Sequence, residues 1–237
     1  MKVWIYGLLG MLLWVELPAS EPLPGVLAKA RRFIASEAEL RAVDTLHFSG
    51  SIHADSGFEA KMELILLKPT SSWLRIETDE SIEITANNAH EGYILVENKK
   101  TGQHQLNVLP GPAVARLANG AWERLNFFDN PQRRFGRIEH KGMVRYDDRM
   151  CEKVVFLYPG NIWSARYFDS QTGKLLMTAF DTGQIFMEEG AIHAHGIRFP
   201  ARLHVRDGKH ENKVIHFDSV VVNGEVDPEI FEFPVGR

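Results

Sequence analysis

At Thr45 the chain changes rhythm and keeps the new one nearly to its end. Before this point apolar residues recur three and four apart. Beyond it they alternate with polar ones in short runs closed by turn-forming residues. The clearest run sets Phe58, Ala60, Met62, Leu64 and Leu66 against Glu59, Lys61 and Glu63, then stops at Lys68-Pro69. Successive side chains of a strand point to opposite faces, so such a segment buries one face and wets the other. Similar runs lie at 73–78, 82–86, 92–97 and 103–109. Linkers as short as Asn98-Lys99-Lys100-Thr101-Gly102 force neighbouring strands to be antiparallel.

Two stretches break the alternation. Val26, Leu27, Ala30, Phe33, Ile34, Ala38 and Leu40 form one apolar stripe of a helix, and Ser36 with Glu39 has capping-box spacing that predicts a bend or restart near Ala35. After Pro110-Gly111-Pro112, residues 113–125 read as a second helix. Its apolar side carries Val114, Leu117, Ala118, Ala121, Trp122 and Leu125, extended by Phe127-Phe128. Strands resume from Phe135 through 154–158, 162–168, 175–180, 185–187, 192–199, 201–205 and 213–222. Pro159-Gly160-Asn161, Thr172-Gly173, Asp181-Thr182-Gly183 and Asp207-Gly208 supply turns. The expected fold is mainly β with α cover: a curved antiparallel sheet of about ten to twelve strands, an incomplete, unclosed β-barrel, with helices over the concave face. The interior of such a sheet is either packed by its own side chains or left hollow for an apolar guest.

Met1-Lys2 and the apolar stretch from Trp4 to Val15 have the make-up of a secretory leader, which is short for a membrane span. Leu17-Pro18-Ala19-Ser20 offers a cleavage point, so residues 1–20 read as a cleaved signal peptide and 21–237 as a single exported domain; a retained anchor is the competing reading. The only cysteine is Cys151. It lies far from the leader, which excludes an N-terminal lipid-bearing cysteine and an internal disulfide, and in Met150-Cys151-Glu152 it reads as a buried strand residue. A formal charge of -4 argues against a nucleic-acid partner.

Several short stretches, taken in order, carry a resemblance. They are the first helix followed by Ala42-Val43-Asp44-Thr45-Leu46-His47-Phe48-Ser49-Gly50, and Lys68-Pro69 leading into Trp73-Leu74-Arg75-Ile76-Glu77. Further on come Tyr167-Phe168-Asp169-Ser170-Gln171-Thr172-Gly173-Lys174-Leu175-Leu176, Gly196-Ile197-Arg198-Phe199-Pro200 with Val221-Val222-Asn223, and the closing Phe231-Glu232-Phe233-Pro234. Together they resemble the outer-membrane lipoprotein-sorting proteins, the LolA/LolB-like superfamily. The resemblance implies an unclosed barrel with a helical lid around a hydrophobic cavity that receives lipid or lipoprotein acyl chains in the periplasm, binding without bond breaking. It implies a monomer working with transfer proteins of the inner and outer membranes. In carrier members an early-strand arginine holds the lid shut by hydrogen bonds, and Arg75 is the matching position. This chain has Trp73-Leu74-Arg75-Ile76 in place of the usual Phe-Arg-Trp core, which leaves another lipid cargo or a sensing role open beside lipoprotein carriage.

The candidate cavity lining is Met62, Leu64, Leu66, Trp73 and Arg75 from the strands, and Leu117, Trp122, Leu125, Phe127 and Phe128 from the lid. An ordinary closed core is the alternative for all of them. Arg75 shares a strand face with Trp73 and Glu77 and is expected at the cavity mouth, where a lid carbonyl or Glu77 must satisfy it. No cofactor is called for. His193 and His195 share one face of an expected strand but lack a third ligand, and read as ordinary surface histidines. His90-Glu91 and His210-Glu211 begin like zinc-protease helices without the second histidine. Asp147-Asp148 between Arg145 and Arg149 reads as a solvated hairpin tip, and Lys99-Lys100 and Arg133-Arg134 as wet surface. No G-x-S-x-G elbow or phosphate-cradling loop occurs. The expectation is a non-enzymatic carrier or sensor of acyl-bearing cargo. The alternatives are an envelope hydrolase whose residues converge in the cavity, and a scaffold with a packed interior.

Overall fold

The computed structural model describes residues 20–207 and 212–234. Residues 1–19 of the expected leader, the Gly208 half of one expected turn and His210-Glu211 lie outside them. Helices α1 (Leu23–Ile34) and α2 (Glu37–Arg41) precede β1 (Thr45–Ala54), β2 (Glu59–Leu67), β3 (Ser71–Glu77), β4 (Ser81–Asn87), β5 (Gly92–Asn98) and β6 (His104–Val108). Then come α3 (Gly111–Asn126), β7 (Arg137–Tyr146), β8 (Arg149–Tyr158), β9 (Ile162–Asp169), β10 (Leu175–Phe180), β11 (Gln184–Glu189), β12 (Ile192–Ala194), β13 (Ile197–Phe199), β14 (Arg202–Asp207) and β15 (Lys213–Val222). Single 3-10 turns occupy Pro131–Arg134 and Pro228–Phe231.

Thirteen strands form one antiparallel sheet in the order β6-β5-β4-β3-β2-β1-β15-β14-β11-β10-β9-β8-β7, and β12 with β13 makes a separate hairpin. The two end strands do not pair with each other, so the sheet curves without closing. This is the expected architecture with one strand more than the upper estimate. A left-handed residue at Asp147 (φ 53°) turns the chain between β7 and β8, at the hairpin tip expected there. A second departure lies at 192–199. His195 (φ 49°) and Gly196 (φ 78°) are both left-handed, so the segment is a hairpin and not one strand. His193 and His195 therefore do not share a strand face.

Both cover helices begin as their sequences dictate. Prolines sit in the first turn of α1 and of α3, where a missing N–H removes no helical bond. The break at Ala35 (φ -169°) is where the capping-box spacing placed it: Ser36 Oγ accepts from Glu39 N–H at 3.3 Å, and the Glu39 carboxylate accepts from Ser36 N–H at 2.9 Å. The helices bury their apolar stripes against two separate core regions. Val26 and Ala30 of α1 pack with Val154, Phe156, Tyr158 and Phe168 of β8 and β9. Leu40 of α2 and Leu125 of α3 pack with Leu46, Phe48 and Leu66 of β1 and β2 and with Phe199 of β13.

Two glycine turns dock these helices. Gly173 (φ 78°) closes the β9–β10 turn so near α1 that an added Cβ would lie 2.7 Å from the Lys29 carbonyl carbon. Asp169 shapes that turn by accepting from the N–H groups of Gln171 and Thr172 and from the Thr172 hydroxyl. Lys29 Nζ then donates to Ser170 O at 2.9 Å.

Candidate functional site

Between the two core regions the concave face is not filled. A cavity of about 180 Å³ lies beneath α1 and the end of α3, and a second of about 370 Å³ lies along the other flank of α3. The larger is within the range of small-molecule sites, roughly 300–1,000 Å³. Leu64, Glu123, Arg124, Phe180 and Phe186 border both, so the two spaces share a wall formed by one turn of α3 and one patch of sheet.

Strand alternation decides which expected residues reach this space. Leu64 and Leu66 of β2 line it, as do Leu117, Phe127 and Phe128. Met62 has the same parity as Leu64 and is buried, but borders neither cavity, while Trp122 and Leu125 are buried in the packing of α3. Trp73 and Arg75 fall elsewhere. Ser72 and Leu74 of β3 line the second cavity, so Trp73 and Arg75 project from the opposite face. There Arg75 pairs with Glu77 at 2.6 Å, and Lys99 reaches the same carboxylate at 2.8 Å. Lys99 and then Arg75 hold Glu77 down at about 2. Placing Arg75 at the cavity mouth was therefore incorrect; a one-residue step in parity turns it outward.

A different arginine joins the cover. Arg31 of α1 donates from Nη1 to the carbonyls of Asn126 and Phe127 at 2.6 and 2.7 Å, and clasps Glu37 of α2 through Nε and Nη2 at 2.6 and 2.9 Å. One guanidinium thus ties α1, α2 and the C-terminus of α3, satisfying helix-end carbonyls with a cation. Phe127 (φ 48°) and Phe128 (φ 67°) are both left-handed, an uncommon state for bulky residues. The turn aims both rings inward, Phe127 against Phe199 at 6.3 Å and Phe128 against Phe168 at 5.0 Å.

Charge is also buried here. Arg166 of β9 shares inward parity with Ile162, Ser164 and Phe168, and its Nη2 meets Glu123 of α3 at 2.6 Å. Its guanidinium lies 4.2 Å from the Phe156 ring centroid and 5.0 Å from that of Phe128. Tyr158 Oη and Ser164 Oγ donate to the same Glu123 at 2.9 and 3.2 Å. Burial, and then the adjacent Glu123 charge, push the Tyr158 hydroxyl well above its ordinary value, so it remains a donor. Burial pushes Glu188 up to about 7, since Arg198 at 4.0 Å offsets only part of that effect. None of these charges was among the expected site residues. Their signal was a charged residue at a buried position of an otherwise apolar pattern, visible for Glu123 within α3 and for Arg166 within β9.

A serine, a histidine and a carboxylate do meet, but elsewhere. Ser20 Oγ donates to Glu152 Oε2 at 2.8 Å, and His140 Nε2 lies 2.8 Å from that same oxygen and 3.4 Å from Ser20. A single imidazole nitrogen faces both partners, which is not the relay order of a nucleophile, base and orienting acid, and none of the three borders either cavity. Cys151 is buried, and burial raises its thiol. Among the described residues no group of three His, Cys, Asp or Glu side chains is placed to hold a metal ion, and no helix is long and apolar enough to cross a membrane.

No family model and no curated protein matches the chain in sequence. Solved structures do match in fold. A putative outer membrane lipoprotein-sorting protein domain from Vibrio parahaemolyticus superposes with a TM-score of 0.57 at 7% identity, over 86% of this chain and 95% of that one. A LolA superfamily protein from Nitrosomonas europaea gives 0.55 at 14% identity, over 89% and 97%. A DUF1329 family protein from Desulfovibrio piger gives 0.58 at 9% identity, over 90% and 98%. The chain shares the fold of these proteins along nearly its whole length.

Proposed function

We propose that this protein is an exported carrier or sensor that shelters the acyl chain of a lipid or lipoprotein in its concavity, without bond breaking, in the periplasmic space. The observation that carries this reading is the pair of adjoining cavities with apolar walls, among them Phe33, Leu64, Phe180 and Phe186. The fold likeness to a lipoprotein-sorting domain supports it. Transfer of each methylene from water into such a space gains about 0.8 kcal/mol, so affinity should rise roughly tenfold for every two carbons added, until the space is filled. Exchange of cargo with membrane-bound donor and acceptor proteins belongs to the same proposal.

Two measurements test it. Native mass spectrometry of protein purified from its own cells should reveal a copurified lipid, and a fluorescent fatty-acid probe should bind with the stated chain-length dependence. Protein that carries no lipid and leaves the probe in solution would overturn the reading.

A further inference from the structure

An acyl chain alone does not account for the charge in this concavity. Three guanidinium groups, Arg124, Arg166 and Arg198, border the first cavity, against two carboxylates, Glu123 and Glu188. Glu123 is committed to Arg166 at 2.6 Å. Glu188 stands 4.0 Å from Arg198, which also donates to Gly190 O at 2.6 Å and lies 4.9 Å from the Phe33 ring centroid. Arg124 has no carboxylate within ion-pair distance among the described residues; it donates from Nη1 to Gly120 O of its own helix at 3.0 Å. Arg166 Nη1 is a buried donor with no hydrogen-bond partner among the described residues. Nearby Arg116 is already matched by Asp181. The wall therefore holds one more guanidinium than carboxylates, and the unmatched one, Arg124, is exposed and free to meet a ligand.

We propose that the concavity takes a long-chain fatty carboxylate, its head group bound by Arg124 with Arg166 behind it and its tail lying among Phe33, Phe180 and Phe186. The inference rests on the carrier reading above and specifies its cargo. One surplus positive charge matches a monoanion. A planar guanidinium matches a carboxylate edge to edge. Arg124 is the natural contact because it borders both cavities and its side chain is open to them.

The test is displacement of the neutral dye N-phenylnaphthylamine from the whole protein at constant pH, comparing hexadecanoate with hexadecanol. A charge-assisted contact made only by the acid predicts a midpoint about tenfold lower for hexadecanoate. In Arg124→Gln that ratio should fall towards one, while Arg124→Lys, which keeps the charge and loses the fork, should retain part of it. Equal midpoints for acid and alcohol in the unaltered protein overturn the head-group inference and leave the carrier reading standing. Absence of both dye uptake and displacement overturns the two together. Stronger displacement by palmitoyl lysophosphatidylglycerol than by hexadecanoate overturns the choice of carboxylate. Should Arg124→Gln fail to fold, the acid-to-alcohol ratio of the unaltered protein decides alone.

Discussion

Glu123 and Arg166 are worth more to the fold than their number suggests, because each would be stranded without the other. Removing one member of a buried pair leaves an uncompensated charge, so Glu123→Ala should lower stability by about 3–5 kcal/mol in urea unfolding, with Tyr158 and Ser164 losing their acceptor as well. Glu188 predicts the opposite sign. Its carboxyl titrates about 7 when folded and near its ordinary value of 4.5 when unfolded, so the folded state holds a proton that the unfolded state has released. The resulting penalty is absent below the unfolded value, grows as pH rises between the two, and is complete above the folded one. Arg198, Lys174 and Arg166 are the cations facing it, and they only partly relieve it. Glu188→Gln should therefore stabilise the protein by on the order of 1–3 kcal/mol at pH 8 and leave it unchanged at pH 4, checked by denaturant titration at both. Legibility at this scale was uneven. Leu64 and Phe128 were readable from apolar patterning, whereas Arg75 and Arg31 were indistinguishable as isolated arginines, since only strand parity and the left-handed turn at Phe127 decide which reaches a helix carbonyl.

The cover helices owe their position to contacts at their ends. Arg31 supplies both links from α1 to the last turn of α3, so Arg31→Met should speed amide exchange in α1 and around Phe127 by hydrogen-deuterium exchange. Arg75→Leu, lying on the other face of the sheet, should leave those rates unchanged. Gly173→Val combines a left-handed backbone with a clash against the Lys29 backbone, so it should unseat α1 and lower the melting temperature, whereas the same change at Gly102, with open space around it, meets the backbone strain alone. The boundary between α1 and α2 was legible because Ser36 and Glu39 form a local motif. The hairpin at 192–199 was not, because His195 adopts a left-handed conformation that its residue type does not announce, and because Gly196 is packed against Glu39 from a distant part of the chain.

For the whole molecule, stability and occupancy should be linked. A ligand that binds the folded state alone adds about 2.7 kcal/mol at a hundredfold excess over its Kd, so a bound fatty acid should raise the melting temperature in step with its concentration. Mainly β architecture with helical cover was legible in outline from period and turn spacing. The hollow interior was not, because side chains that fill a core and those that border a void obey the same alternation. The order of elements adds one more consequence. α3 is the connection between β6 and β7, the two strands that end the sheet on either side. It lies across the opening like a bar whose ends are tied to both doorposts, so swinging it outward tugs on both rims at once. Widening of the mouth and departure of the occupant should then proceed at a single shared rate.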